Sequence, residues 1–167
     1  KKCKVITSIA MCYDLDDPNE FVKNIVDCLH SNGIWIIQMA YLIPMLKLNG
    51  FDNIGHEHLE YYSVKALNVL IEKHGLKIFH VEKNDVYGGS IRAYMTHKNN
   101  NEISTSPSVQ NIIQDENNLG LDDMTIYNEF ADRVNKIKDK LRKFISEQVN
   151  NGKTVYVYGA STKGNTL

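Results

Sequence analysis

Asp17-Pro18-Asn19-Glu20-Phe21 and, farther on, Gly33-Ile34-Trp35-Ile36-Ile37 decide the fold of this chain. The first places Asp as an N-cap, Pro at the first helical position and Glu three residues after the cap, a pattern that opens a helix. Phe21, Ile25, Cys28 and Leu29 continue it at helical spacing, and Gly33 reads as its end. Ile34-Trp35-Ile36-Ile37 is an unbroken apolar run, as a central parallel strand requires. Upstream, Lys4 to Met11 reads as a second buried strand through Val5, Ile6 and Ile9. Strand, helix, glycine, strand is a βαβ unit. The expected class is α/β, with adjacent parallel strands at 4–11 and 34–39 and a crossover helix at 18–31.

Working outward, Ala40 to Asn49 carries Pro44 and reads as a short helix or lid. Ser63 is an N-cap candidate for the run Val64, Leu67, Leu70, Ile71, which stops at Gly75. Lys77–Glu82 and Ser90–Thr96 alternate and are expected to pair antiparallel at the end of the sheet, with Gly88-Gly89 free to bend or to approach a ligand closely. Residues 99–121, rich in Asn, Ser, Glu and Gln, read as a polar connection between a first domain at 1–98 and a second unit at 122–167. In that unit Tyr127, Phe130, Val134, Ile137, Leu141 and Phe144 recur as in a long amphipathic helix, expected to pack on its own domain rather than in a coiled-coil dimer. Asn151-Gly152 ends it, and Val155-Tyr156-Val157-Tyr158 reads as the first strand of a second Rossmann-like unit.

Composition narrows the function. The 167 residues, 43% hydrophobic and 23% charged, are those of a globular protein, and a net charge of -1 gives no electrostatic case for nucleic acid or an anionic membrane. No apolar run approaches the length that spans a bilayer. Lys1-Lys2 precede only a short apolar stretch, without a signal-peptide pattern. Cys3, Cys12 and Cys28 contain no CxxC pair and read as reduced thiols of a cytoplasmic protein. Lys1 leads directly into a strand, and Thr166-Leu167 follow the opening of a new unit, so a fragment of a longer chain is expected. Gly159-Ala160-Ser161-Thr162-Lys163-Gly164-Asn165-Thr166 looks like a phosphate loop, but Asn165 stands where the P-loop requires Lys.

The chemistry concentrates in Gly55-His56-Glu57-His58, followed by Leu59-Glu60-Tyr61-Tyr62-Ser63. Burying two imidazoles and a carboxylate costs several kcal/mol unless each finds a partner, so the triplet belongs in a loop. A histidine there titrates near neutral pH and can take or give a proton. The tyrosines add rings and hydroxyls to line a pocket. His56 and His58 could share a metal, but two ligands are too few, HExxH is absent and the cysteines lack zinc spacing, so no metal is assigned.

Three segments together carry a resemblance: Phe51 through Ser63, then Val86-Tyr87-Gly88-Gly89-Ser90-Ile91-Arg92, then Val157 through Thr166. In this order they resemble the S-adenosylmethionine (SAM)-dependent C-methyltransferases of nucleotide-linked deoxy-keto sugars, the NDP-hexose 3-C-methyltransferase group. The resemblance spans nearly the whole chain. It implies part of a class I Rossmann-like methyltransferase sheet with an antiparallel terminal strand pair, then a long helix leading into a second Rossmann-like unit. SAM is the implied cofactor, and a zinc module is implied upstream of Lys1, not in this chain.

The resemblance implies His58 as the base that removes a proton beside a ketone, with Glu57 orienting an imidazole or binding sugar hydroxyls. His56, Tyr62, Arg92 and Gly89 are the substrate-binding candidates, Tyr62 and Arg92 for the enolate or the diphosphate. Ala10 and Met11, at the end of the first strand, are the cofactor-binding candidates. The partner is then a small molecule, a nucleotide-linked keto sugar. The chain departs from the family at Gly55, where a tyrosine is usual, and at Gln38-Met39-Ala40-Tyr41, where an acidic residue and a proline are usual. Two alternatives stand beside this reading: an O- or N-methyltransferase of a small molecule, and a catalytically inert chain that acts as an interaction module.

Overall fold

The computed structural model of the chain describes residues 1–159 and 164. Four strands form one sheet: β1 (Cys3–Ile9), β2 (Leu29–Ala40), β3 (Leu76–Asn84) and β4 (Ser90–His97). Their order is β1-β2-β4-β3. β1 and β2 are parallel, with Ile6 opposite Trp35, and the crossover between them is α1 (Pro18–Cys28). β4 inserts antiparallel between β2 and β3, so Ala93 lies opposite both Ile37 and Val81. The α/β class and the antiparallel terminal pair are as read from the sequence.

Register explains the core. Trp35, Ile37 and Met39 of β2 stand opposite Met95, Ala93 and Ile91 of β4, and all six are buried. Directly opposed side chains share a face of the sheet. That face is covered by Val22 and Ile25 of α1, by Val64, Leu67 and Ile71 of α3 (Val64–Glu72), and by Val109 and Ile112 of α4 (Pro107–Leu119). Each such aliphatic side chain contributes roughly 1.5–3 kcal/mol on burial. The Trp35 indole donates to the hydroxyl of buried Ser8 at 3.0 Å, which joins β1 to this layer without leaving the indole N–H unpaired.

Two helix starts follow their caps. Asp17 accepts from the Glu20 amide at 3.0 Å, and Ser63 accepts from the Ala66 amide at 3.0 Å. α2 (Leu42–Leu48) accommodates Pro44 within its first turn, where no amide donor is needed.

The structure corrects five sequence expectations. α1 ends at Cys28, not at Gly33, because Leu29 turns into extended backbone and buries its side chain. Gly33 lies inside β2, where a Cβ would come 2.8 Å from Leu29 Cδ1 and 2.9 Å from the Cys3 carbonyl oxygen; the β1–β2 register shifts there. β1 is an edge strand rather than a buried one, and Val5 and Ile9 on its far face are 59% and 51% exposed. The polar connection contains α4, with Ser106 as its cap, Pro107 at its first position and Gly120 after its end. The long helix, α5 (Met124–Asn150), docks on α2 only through its first half: Phe130 is buried, and Arg133 donates to the Leu46 carbonyl and the Asn49 side chain, both at 2.7 Å. Leu141 and Phe144 are exposed. Val155–Tyr158 are exposed and pair with no strand among the described residues, and residues 160–163 and 165–167 of the glycine loop lie outside them.

Candidate active site

The carboxyl end of parallel β1 and β2 is where an open α/β sheet binds its ligands. At that end β1 passes into Ala10, whose φ of 52° is left-handed and unusual for a residue with a Cβ. Its amide donates to the Gln38 carbonyl at 2.8 Å, which fixes the strained turn against β2. Met11 follows, and then a single turn, Cys12–Asp14. Burial, with the Asp14 charge adding to it, pushes the Cys12 thiol up to about 12, so this cysteine is a packed apolar group rather than a nucleophile.

The same turn carries Tyr13, which the sequence reading did not single out. Its ring meets the His58 imidazole edge-on, with centroids 4.6 Å apart. Its carbonyl accepts the Leu59 amide at 2.9 Å and the Glu60 amide at 3.2 Å. The turn that follows β1 and the His58 loop are therefore joined through Tyr13. Burial first, then Asp14, then nearby Tyr87 raise the Tyr13 phenol above its ordinary value, so it stays protonated as a donor.

His58 is partly buried, and its Nδ1 lies 2.6 Å from the Asn53 carbonyl oxygen. A carbonyl only accepts, so Nδ1 donates, and in the neutral imidazole Nε2 is then the acceptor. His56 and Glu57 differ. Their side chains are 81% and 58% exposed and approach each other at 4.0 Å. A Cβ at Gly55 would meet nothing within 4 Å, so packing does not require glycine there.

Tyr62 belongs to the core, not to the open side of the loop, because it is buried and its hydroxyl donates to Glu60. Arg92 lies on the sheet face opposite the helices, where its guanidinium donates to Gln38 Oε1 at 2.6 and 3.1 Å and pairs with Glu82 at 3.6 Å. Gly89 has a φ of 118°, and its Cβ would lie 2.4 Å from Pro44 Cβ; its carbonyl accepts the Tyr41 amide at 3.1 Å. A cavity of about 300 Å³ opens beside it, lined by Pro44, Lys47, Lys83 and Asn84. Of the sequence candidates, Ala10 and Met11 lead into the turn whose Tyr13 meets His58, Gly89 lies at a cavity, and Tyr62 and Arg92 are bound to other partners.

Among the described residues no three His, Cys, Asp or Glu side chains gather as a metal site, and no helix is long and apolar enough to cross a membrane.

Comparison with known proteins identifies the class. Residues 1–81 match the profile of a methyltransferase domain and residues 85–167 that of the C-methyltransferase C-terminal domain. The chain belongs to the C-methyltransferase family. It is 35% identical over 153 residues to the C-methyltransferase NovU of Streptomyces niveus, a match covering 92% of this chain and 36% of that protein. The chain thus spans little more than a third of that relative's length. Solved structures with a similar trace include a putative methyltransferase in complex with the Trm112 activator of Haloferax volcanii (TM-score 0.49, 11% identity, 57% of this chain and 54% of that one). LepI in complex with SAM is another (TM-score 0.48, 13% identity, 58% of this chain and 27% of that one).

Proposed function

We propose that the complete gene product methylates a carbon beside a ketone on a nucleotide-linked deoxy sugar, using SAM, with His58 as the base. The observation that carries this reading is the 2.6 Å hydrogen bond from His58 Nδ1 to the Asn53 carbonyl, which makes Nε2 the proton acceptor of the neutral ring, packed against Tyr13 in the turn after β1. The left-handed turn at Ala10 and the Met11 backbone suit the edge of a cofactor site at the carboxyl end of the sheet. SAM bound there supplies an electrophilic methyl group. His58 Nε2 takes the proton from the C–H beside the ketone, and the electron pair left behind becomes the enolate. The Tyr13 hydroxyl, kept protonated by its surroundings, donates to the developing enolate oxygen. Lys47 and Lys83, at the cavity beside Gly89, supply positive charge for the anionic end of such a substrate.

His58→Ala in the complete gene product tests the reading. It should abolish methyl transfer and slow deuterium exchange at the carbon beside the ketone by about 10²–10⁴. SAM binding, followed by calorimetry, should be unchanged, because the imidazole acts on the substrate. His56→Ala should cost less, in line with its exposure. Exchange at the parent rate in the His58 variant would move the role of base to Glu57.

A further inference from the structure

Glu116, on α4, is 1% exposed, and nothing in the proposed chemistry uses it. Its carboxylate accepts three hydrogen bonds. The Val64 amide donates to Oε1 at 2.6 Å, the Lys65 amide to Oε2 at 2.8 Å, and the Tyr41 hydroxyl to Oε1 at 2.9 Å. Val64 and Lys65 are the first two residues of α3, so the carboxylate caps that helix from outside, while Ser63 serves the next free amide. A helix of nine residues with its own serine cap does not need a buried charge brought from elsewhere in the chain. The arrangement has a second consequence, at the segment that precedes α3.

That segment is the His58 loop, and it is pinned at successive points. Leu59 and Glu60 are bound to the Tyr13 carbonyl, Tyr62 accepts from the Leu42 amide, and Val64 and Lys65 are held by Glu116. Glu116 also fixes Tyr41, whose amide holds the Gly89 carbonyl. One carboxylate thus ties the exit of the His58 loop, the end of β2 and the Gly89 turn into a single frame. We propose that Glu116 is a positioning residue, which sets the His58 imidazole in its Nδ1–H form against Tyr13. The inference rests on the reading of His58 as the base.

The test uses the complete gene product labelled with ¹⁵N-histidine, the His58 signals being assigned by their loss in His58→Ala. In the parent protein, long-range proton–nitrogen correlations should show the Nδ1–H tautomer. Glu116→Gln turns one acceptor into a donor that faces the α3 amides. It should shift His58 toward the tautomer mixture of free imidazole and slow deuterium exchange beside the ketone at least tenfold, with SAM affinity within twofold. Asp123→Ala removes a side-chain cap of α5, whose bonds to Thr125 are both 2.8 Å, and should lower the melting temperature without moving either readout. Where Glu116→Gln does not accumulate folded, Tyr41→Phe removes one of the three hydrogen bonds and should give a partial shift with roughly threefold slower exchange. An unchanged His58 tautomer and exchange rate in the Glu116 variant, or in Tyr41→Phe where that variant carries the test, overturns this inference alone. Equal changes in Asp123→Ala do the same. A parent protein with His58 in the Nε2–H tautomer overturns the reading of His58 as base and this inference with it.

Discussion

Replacing Gly89 with alanine measures how tightly the β3–β4 turn is held against α2. Two costs are separable in the geometry. The φ of 118° places an added Cβ in backbone space that L side chains rarely occupy, worth about 1–2 kcal/mol. The same Cβ would lie 2.4 Å from Pro44 Cβ and 2.6 Å from Pro44 Cγ. Carbon atoms settle about 3.5–4.0 Å apart, so the turn or the helix must move by about 1 Å. Overpacking of this kind costs about 1–3 kcal/mol. The total, about 2–5 kcal/mol, is a large part of a native stability of about 5–15 kcal/mol. Urea unfolding of Gly89→Ala should show that loss. Pro44→Gly removes both offending carbons, so the double variant should regain the steric share, a coupling of about 1–3 kcal/mol, while the backbone share persists. A loss below about 1 kcal/mol, or a coupling within about 0.5 kcal/mol of zero, would refute the reasoning.

Lys47→Ala combined with Lys83→Ala should raise the KM for the proposed nucleotide-sugar substrate roughly tenfold, the factor that about 1.4 kcal/mol represents, with kcat little changed; an unaltered KM at low salt would remove the cavity beside Gly89 from the proposed substrate site. Cys12 governs part of the alkaline stability. Its thiol, ordinarily at 9.0, sits at about 12 in the folded protein, so between those values the unfolded chain has released a proton that the native state keeps. Stability is therefore full below pH 9 and declines as pH rises toward 12, by about 4 kcal/mol at most at about 1.36 kcal/mol per unit. Cys12→Ala should flatten that decline in urea titrations, and parallel profiles for the two proteins between pH 9 and 11 would show that Cys12 is not its source.

What could be read in the sequence was local. Asp17 and Ser63 announce helix starts because a cap acts within three residues, and both bonds form at 3.0 Å. The parallel pair β1–β2 followed from one helix-sized spacer between apolar runs. α4 was missed because its apolar residues are interspersed with Asn, Gln, Asp and Glu, and one of its three buried residues, beside Val109 and Ile112, is Glu116. Ser106-Pro107 and Gly120 were the signals that could have found it. The exposure of Val5 and Ile9 was invisible because alternation does not reveal whether a strand lies at an edge. At the site, residue type and flanks pointed to the loop from Gly55 to Ser63 as a whole, and only the family resemblance singled out His58 within it. Tyr13 could not be picked out, since only the packing of the Cys12–Asp14 turn brings its ring to the imidazole.

The two family profiles meet between residues 81 and 85, a boundary that falls within β3 and does not divide the folded structure. β4, from the second segment, lies between β2 and β3 of the first. Without it, the amides and carbonyls that β2 and β3 direct toward β4 would lose their partners, and Ile37 and Val81 would lose Ala93 from between them. Glu116 then crosses the same boundary to hold the start of α3. Arg133 crosses it again to close the end of α2 at Leu46 and Asn49. The later segment thus supplies the central antiparallel strand, the buried carboxylate behind the His58 loop and the cap of the helix next to Gly89. The candidate base lies in the first segment, and its surroundings are completed by the second. If His58 is the base, as proposed, a substitution far along the chain from it reaches the proton-transfer step through the backbone that positions it.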